Sequence, residues 1–583
     1  MRGSVVSERL RAPRRTSTAV RGGVARLLVL VLVVGLPVAA SRADGAPGWG
    51  IASAHPRATE AGREILEAGG NAFDAAVAVS AALAVVEPYS SGLGGGGFWL
   101  LHVGASGRNV MVDGRERAPL AATPTMYQDD QGRLIDKASI NGPGAAGIPG
   151  EPAALVHIAK TYGTLSLARD LRPAIRLARD GFHVDDRYRS LASFRKDVLA
   201  ASPAAAATYL VDGQVPPEGY LLRQPQLADT LEALAHQGRS GFYDGPVAER
   251  LVAGVRAAGG IWSRRDLRAY RAVERPPITG TYRGMRIVSA SPPSSGGVAL
   301  VEMLNILKGY DLDAADEALR THLVVEAMRR AYHDRNRYLG DTDYVDVPID
   351  LLTDPRYAAG LRATIRKDRA TPSSIFPGVA GAQGGPDTTH FSIVDPQGNR
   401  VAATLSVNWP FGSCFMPPGT GVVLNDEMDD FAAKPGVANV YGLVQGKANA
   451  IAPGKRMLSS MSPTFLQQGD RTAVIGTPGG SRIITMVLLG ALAFHDGASP
   501  RAIVRTPRYH NQYLPDEIQY EPGAFTPDVA AALRARGHKL HEIDRHYGNM
   551  QVVVIDRGAG RVEAASDPRG IGASAAGTAL EGR

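Results

Sequence analysis

Thr388, Thr389 and His390 follow directly on the Gly- and Pro-rich stretch "GGPD" and open an alternating run, "HFSIVD". A hydroxyl in mid-chain is a poor nucleophile, because its own residue supplies nothing to take the proton. If the bond before it is cut, the new first residue gains an α-amine with an ordinary pKa of about 7.7–8.0, near enough to neutral to act as that base. Only the residue after such a cut gains the amine. The same residues also fit a simpler reading, β-prone threonines opening a strand.

Other segments carry groups that such a nucleophile would need. "TAVIGTPGGSRIITMVLLG" reads as a strand, a turn and an apolar helix, with the amides of Gly479 and Gly480 at the helix amino terminus, the geometry of an oxyanion hole or of a plain turn. "NDEMDDF" puts Glu427 and Asp430 after the buried-looking run "GTGVVL", at what reads as a strand end. "GKRMLSSMSPT" offers Ser459 and Ser460, and "VDGRERAP" offers Arg115. An arginine with serines can grip a carboxylate and paired acids can grip an ammonium, so together they describe a pocket for an α-amino acid. Taken singly, each also fits a solvated charge or a cap.

Three other patterns carry less. The glycines Gly92 to Gly97 match G-x-G-x-x-G, but they follow a helix and precede a strand, the reverse of a dinucleotide site, so they read as backbone packed close to something else. Ser193-Phe194-Arg195-Lys196 lies in a charged helical pattern without the partner motifs of serine acylases. No histidine or cysteine spacing suits a metal, the histidines are scattered, and neither a metal nor another cofactor is expected.

These residues need elements to hold them. "ATEAGREILEAGG" and "NAFDAAVAVSAALAVVEP" carry helical patterns, the second with Asn71 as its cap, and "FWLLHV" reads as a strand. Residues 150–368 are mostly helical in pattern with charged faces, as in "VVEAMRRAYHDRNRYLG"; short β runs dominate after Thr388. "HFSIVD" and "RVAATLSV" flank the turn "PQGN" and predict a hairpin over residues 389–407. Its register sets Thr388 opposite the region 406–408, giving it Thr404, Ser406 and Asn408 as polar neighbours. Residues 368–387 read as an exposed linker. The interleaving of helices and strands indicates an α/β or α+β enzyme.

The formal net charge of +7 would suit a nucleic-acid partner, but residues 1–43 hold eight arginines and one glutamate, so the leader carries the whole excess. That leader has a basic start, the apolar run "LLVLVLVVGLPVAA" and small residues that suit cleavage near Ala40 or Ala43. Its uninterrupted apolar stretch is about ten residues, short of the roughly 20 that span a bilayer, so export to the periplasm or medium is expected rather than a stable membrane span. The single cysteine, Cys414, excludes an intrachain disulfide and reads as a small buried hydrophobe.

In order, "GGNAFDAAVAVSAALAVVEPYSSGLGGGGF", "DGRERAP", "DTTHFSIVD", "LNDEMDDF", "KPGVANVYGLV", "KRMLSSMSPT", "GTPGGSRIIT" and "ASDPRG" closely resemble the γ-glutamyltranspeptidases, or glutathione hydrolases. The resemblance implies an N-terminal-nucleophile hydrolase with a four-layer αββα sandwich. It implies a precursor that cuts itself before Thr388 into residues 44–387 and 388–583, which stay together as a heterodimer. Thr388 would be the nucleophile, supported by Thr404 and Ser406, and Gly479 and Gly480 the oxyanion hole. Arg115, Ser459 and Ser460 would hold the α-carboxylate of a γ-glutamyl group, and Asn408, Glu427 and Asp430 its α-ammonium. Residues 435–444 resemble a lid loop with Tyr441 at its tip. Substrates would be glutathione and other γ-glutamyl compounds, with water, amino acids or dipeptides as acceptors. Ser406 stands where familiar members have threonine, keeping the hydroxyl without the stiffening methyl, and "NWPFG" departs from the more polar residues usual after Asn408. A related glutaryl β-lactam acylase and a non-catalytic exported amino-acid or peptide binding protein are the alternative expectations.

Overall fold

Alternation along the strand Gly96–Val103 divides its side chains between two cores. Trp99 and Leu101 pack with helices, whereas Phe98 and Leu100 pack with a second sheet. A strand with both faces apolar in this way must lie between two layers. In the computed structural model, which describes residues 46–375 and 388–578, two antiparallel sheets face one another. The first has seven strands in the order Ala573–Thr578, Gly48–Ser53, Thr389–Val394, Arg400–Ser406, Gly96–Val103, Arg108–Gly114, Val273–Arg275. The second has six: Arg561–Ser566, Gln551–Asp556, Arg471–Gly476, Thr464–Gln468, Met285–Ser289, Ile278–Tyr282. Met111, Ala402, Val288, Phe465 and Val553 fill the space between them.

Helices close both outer faces. Pro56–Glu67 and Ala72–Val86 cover the first sheet; Gly296–Leu307, Glu317–Tyr338 and Ile483–His495 cover the second. Every residue of Ala72–Val86 is buried, and Asn71 caps it as expected by accepting from the amides of Phe73 and Asp74. This is the four-layer αββα sandwich of the N-terminal-nucleophile hydrolases.

The expected hairpin forms. Thr389 faces Leu405 and Val394 faces Arg400, which sets Thr388 beside Ser406 at the strand edge. The glycine run is indeed packed against backbone: a Cβ on Gly94 would lie 2.0 Å from Val423 O and one on Gly95 2.1 Å from Ser406 O. Strands from both sides of the expected cut lie in both sheets, so the two segments share the two central layers of the core.

Two expectations need correction and one gains detail. The run "GTGVVL" forms no strand; Leu424 N donates to Phe415 O and its carbonyl accepts from Ser413 N and Oγ, and Glu427–Asp430 is a short 3-10 turn. The region expected to be mostly helical is so, and it also contains three strands between Val273 and Ser289, one joining the first sheet and two the second. The described part of the linker is anchored: Thr371 and Ser373 are buried, and their amides donate to Glu326 and Asp516. The leader, the rest of the linker and Asp387 lie outside the described residues.

Candidate active site

Thr388 is buried, and its Oγ1 lies 3.4 Å from Ser406 Oγ across the hairpin. Ser406 Oγ accepts from Asn408 N at 2.8 Å, and Asn408 Nδ2 donates to Asp426 O at 3.1 Å. Asn408 sits at a φ of 78°, a left-handed conformation that lets the chain turn away from the strand. Thr389 Oγ1 donates instead to Glu87 Oε2 at 2.7 Å, where the buried helix Ala72–Val86 ends.

His390 meets Thr404 Oγ1 at 2.8 Å through Nδ1 and Ser392 Oγ at 3.3 Å through Nε2. Burial lowers it to about 3, too weak a base to take the proton of a hydroxyl. Gly476 makes room for it, since a Cβ there would lie 2.1 Å from the ring. Thr404, expected beside the nucleophile, thus bears on the strand two residues beyond Thr388.

Arg115 gathers the acids. Its Nη1 donates to Glu427 Oε2 at 2.6 Å, its Nη2 to Asp430, and its Nε to Met457 O at 3.3 Å. Glu116 lies 3.5 Å away, and burial pushes its carboxyl up to about 8. Burial also raises the Glu427 carboxyl, against the pull of Arg115, and the carboxyl oxygens gathered there can accept hydrogen bonds from a cationic ligand group.

The serines lie on the opposite side, facing a different cation. Ser459 O accepts from Ser295 Oγ at 2.6 Å, and Ser460 Oγ accepts from Arg335 Nη2 at 3.0 Å. Arg335 is buried, donates to Ser295 Oγ at 3.0 Å and to Asn336 Oδ1, and has no carboxylate within 4.0 Å among the described residues. Burial lowers it to about 10, so it stays charged at neutral pH, and its excess positive charge lies behind the hydroxyl that faces the cavity.

Gly479 and Gly480 adopt φ values of 141° and 56°. They lead into a 3-10 turn, Gly480–Arg482, and the helix begins only at Ile483, so the expected helix terminus is one turn further on. Tyr441 closes over them: its OH donates to Asn408 O at 2.7 Å, and a Cβ on Gly480 would lie 2.5 Å from its ring. Asp429 accepts from Val440 N at 2.9 Å and Gln512 Nε2 donates to Tyr441 O at 3.1 Å, tying the loop down on both sides.

Thr388, Ser406, Asn408, Arg115, Glu427, Asp430, Ser459, Ser460, Gly480 and Tyr441 line one cavity of about 290 Å³. Gly479 faces a second cavity of about 740 Å³, which Thr388 also lines. Sequence reasoning missed Arg335, Ser295 and Glu87. Arg335 was hidden in a helix pattern that reads as charged and exposed, although Arg329, Arg330 and Arg335 are all buried.

Two other groups stand apart. Cys414 is buried against Arg195 Nε, and burial pushes its thiol up to about 11, the inert hydrophobe that was expected. The histidines are less scattered than their spacing suggests: His322, Glu326 and His538 bring donor atoms within 4.8 Å of one another. Apart from His538 Nδ1, their polar atoms already serve protein partners, with His322 Nε2 on Arg366 O and Glu326 on Arg329 and Arg330, and these two guanidiniums oppose a further cation there.

The sequence matches the family described as Gamma-glutamyltranspeptidase over residues 58–577. It is 46% identical over 513 residues to the glutathione hydrolase proenzyme of Pseudomonas sp. (strain A14), covering 86% of this chain and 88% of that one. The glutathione hydrolase proenzyme of Escherichia coli (strain K12) is 42% identical over 527 residues, with coverages of 89% and 90%. Among solved structures, cephalosporin acylase from Bacillus halodurans is similar with a TM-score of 0.80 at 29% identity, covering 92% of this chain and 97% of that one.

Proposed function

The chain belongs to the γ-glutamyltranspeptidase family, and from that premise we propose that Thr388 is its nucleophile, that γ-glutamyl amides such as glutathione are its donors, and that it acts after cutting itself before Thr388. The observation that carries this reading is the convergence of the Thr388 hydroxyl with Arg115, Glu427, Asp430, Ser459 and Ser460 in one cavity under Tyr441.

In maturation, Thr388 Oγ attacks the carbonyl of Asp387, the amide becomes an ester, and water hydrolyses it. This leaves a carboxylate on Asp387 and a free amine on Thr388. The mixing of strands from both segments within each sheet supports two chains that remain together. In turnover, the α-amine takes the Oγ proton as Oγ bonds to the γ-carbonyl, and the Gly479 and Gly480 amides face the developing oxyanion. The C–N bond breaks, the leaving amine receives the proton, and a γ-glutamyl ester remains. Water releases glutamate, or an amino acid or dipeptide amine forms a new γ-glutamyl amide; either way the Thr388 hydroxyl is restored.

Asn408, Glu427 and Asp430 hold the α-ammonium, for which the carboxyl oxygens gathered around Arg115 are suited. Arg115, Ser459 and Ser460 hold the α-carboxylate, with Arg335 as a positioning residue that strengthens the Ser460 hydroxyl as a donor. Ser406 orients Thr388, and Thr404 does so through His390. Tyr441 limits the access of water to the ester. The leader directs export to the periplasm or medium; no helix among the described residues is long and apolar enough to cross a membrane.

The test is a denaturing gel with amino-terminal sequencing of the smaller band and an assay of glutathione hydrolysis. Two bands, the smaller starting at Thr388, together with glutamate release, are expected; one intact, inactive band would instead fit a binding protein. The likeness to a cephalosporin acylase keeps a glutaryl acylase as the second reading. A glutaryl group has no α-ammonium, so the two readings part on Asp430→Ala: loss of activity fits γ-glutamyl donors, and retention fits the acylase.

A further inference from the structure

Two walls of the small cavity come from distant stretches of chain: the loop over residues 435–444, with Tyr441, and the turn Gly480–Arg482. One buried side chain is bonded to both. Gln512 Nε2 donates to Tyr441 O at 3.1 Å, and Gln512 Oε1 accepts from Ser481 Oγ at 2.6 Å. A carbonyl only accepts, so the amide nitrogen must face Tyr441 and the oxygen is left for the turn. His510 Nε2 meets the same oxygen at 2.9 Å, and burial lowers His510 to about 3, which keeps its ring neutral.

The segment that carries Gln512 is held from behind. Asn511 Nδ2 donates to Glu517 O at 2.8 Å, and Asn511 Oδ1 accepts from Tyr513 N at 3.0 Å, where Tyr513 takes a left-handed φ of 72°. Ser373, which precedes the expected cut, donates through Oγ to Tyr513 O at 2.6 Å and through its amide to Asp516 Oδ2 at 2.7 Å. Gln512 is therefore a fixed post to which two parts of the cavity wall are tied.

Resting on the function proposed above, we propose that Gln512 is a positioning residue that makes the lid and the oxyanion turn close as one unit. The amide is oriented for Ser481 when Tyr441 is down, and for Tyr441 when the turn is formed. Because the lid covers the γ-glutamyl group and the turn faces the oxyanion, gripping the acyl group also sets the glycine amides for the attack. A primary amide suits the post because it offers a donor and an acceptor in one rigid plane. A carboxylate would set an oxygen against Tyr441 O, and a hydrocarbon would leave the Ser481 hydroxyl and the Tyr441 carbonyl unpaired.

The experiment reads the lid without turnover as well as through it. Of the four tryptophans, Trp49, Trp99 and Trp262 are buried, whereas Trp409 is half-buried with its ring 5.9 Å from that of Tyr441. Acrylamide quenching of the fluorescence thus reports on the lid through Trp409. Two self-cleaved variants are compared with the parent. Gln512→Met keeps the bulk and removes both bonds; Ser481→Ala removes the bond to the turn and leaves the one to Tyr441. Quenching is expected to rise in both. In Gln512→Met, KM for a γ-glutamyl anilide should rise about fivefold and kcat fall about fivefold, as for one hydrogen bond lost on each side. Ser481→Ala with lowered kcat and parental quenching would overturn the coupling. So would Gln512→Met with parental kinetics, or with a raised KM and an unchanged kcat. Should Gln512→Met fail to fold, Ser481→Ala decides alone. If quenching rises in both variants while the parent cleaves no γ-glutamyl donor, the coupling stands and the γ-glutamyl reading fails.

Discussion

The two cavities that meet at Thr388 are built on opposite plans. In the small one the charged groups belong to neighbouring turns and are bonded to one another: Arg115 to Glu427 and Asp430, and Tyr441 to the backbone of Asn408. In the large one Arg545 stands exposed on a loop and Arg187 exposed at the start of the helix Asp186–Ala200, and the acid Glu87 is held by the hydroxyl of Thr389. A buried ion cluster is preorganised and recognises one geometry, because each charge left without a partner there is costly. A solvated rim accepts many shapes provided their charge is right, because water screens every misfit. The difference suits a site that fixes one acyl group and exchanges its amine with several partners.

Four changes would break or sharpen that contrast. Thr388→Ala removes the group common to both cavities and should leave a single uncut chain with no measurable turnover; two chains on a denaturing gel would refute the assignment. Arg115→Gln strips the small cavity of its cation and leaves two buried acids uncompensated. Breaking such a pair costs about 3–5 kcal/mol, so kcat/KM for γ-glutamyl donors should fall by at least about 10²-fold. A loss of less than tenfold would show that Arg335 and the serines carry the carboxylate without it.

Glu87→Gln probes the large cavity through stability. Burial pushes this carboxyl up to about 7 from an ordinary 4.5, only partly opposed by the Thr389 hydroxyl and the field of Arg187. Since its folded pKa lies above its unfolded one, its stabilising effect is complete below about pH 4.5 and is lost as pH rises through about 7. Glutamine stays neutral throughout, so the variant should gain on the parent by up to about 3 kcal/mol between those limits, read from urea midpoints at each pH. A constant difference across that range would mean that Glu87 ionises normally and that its partners fully offset its burial. The smallest effect is expected for Tyr441→Phe, which removes one hydrogen bond to Asn408 O. At about 1 kcal/mol, KM for the donor should rise about fivefold with kcat little changed; an unchanged KM would mean that the ring alone closes the cavity.

The hairpin over 389–407 was legible in the sequence because alternation and the turn "PQGN" are local signals, and they fixed Thr388 beside Ser406 to within a residue. The glycine run was legible too, since four glycines before an apolar strand imply close backbone approach. The helix Glu317–Tyr338 was legible as a helix, but the burial of its arginines was not. Its arginines read as a solvated face, yet Arg330 is bonded to Glu326 within the helix and Arg335 to serines from distant loops. Helical spacing gives the face a residue lies on and says nothing of what covers that face.

By itself, then, the sequence determined the elements, the nucleophile's strand, and, through long ordered motifs, the set of groups that ought to meet. Only the tertiary structure decided how those groups pair. It joined Arg115 to the acids, set Arg335 behind Ser460, moved Thr404 onto His390, and gave Thr388 a cavity on each side. The reason is physical: strand and helix periods are set by bonds along the chain, whereas the partner of a buried charge is chosen by burial, which brings residues hundreds of positions apart into contact and penalises any that remain unpaired.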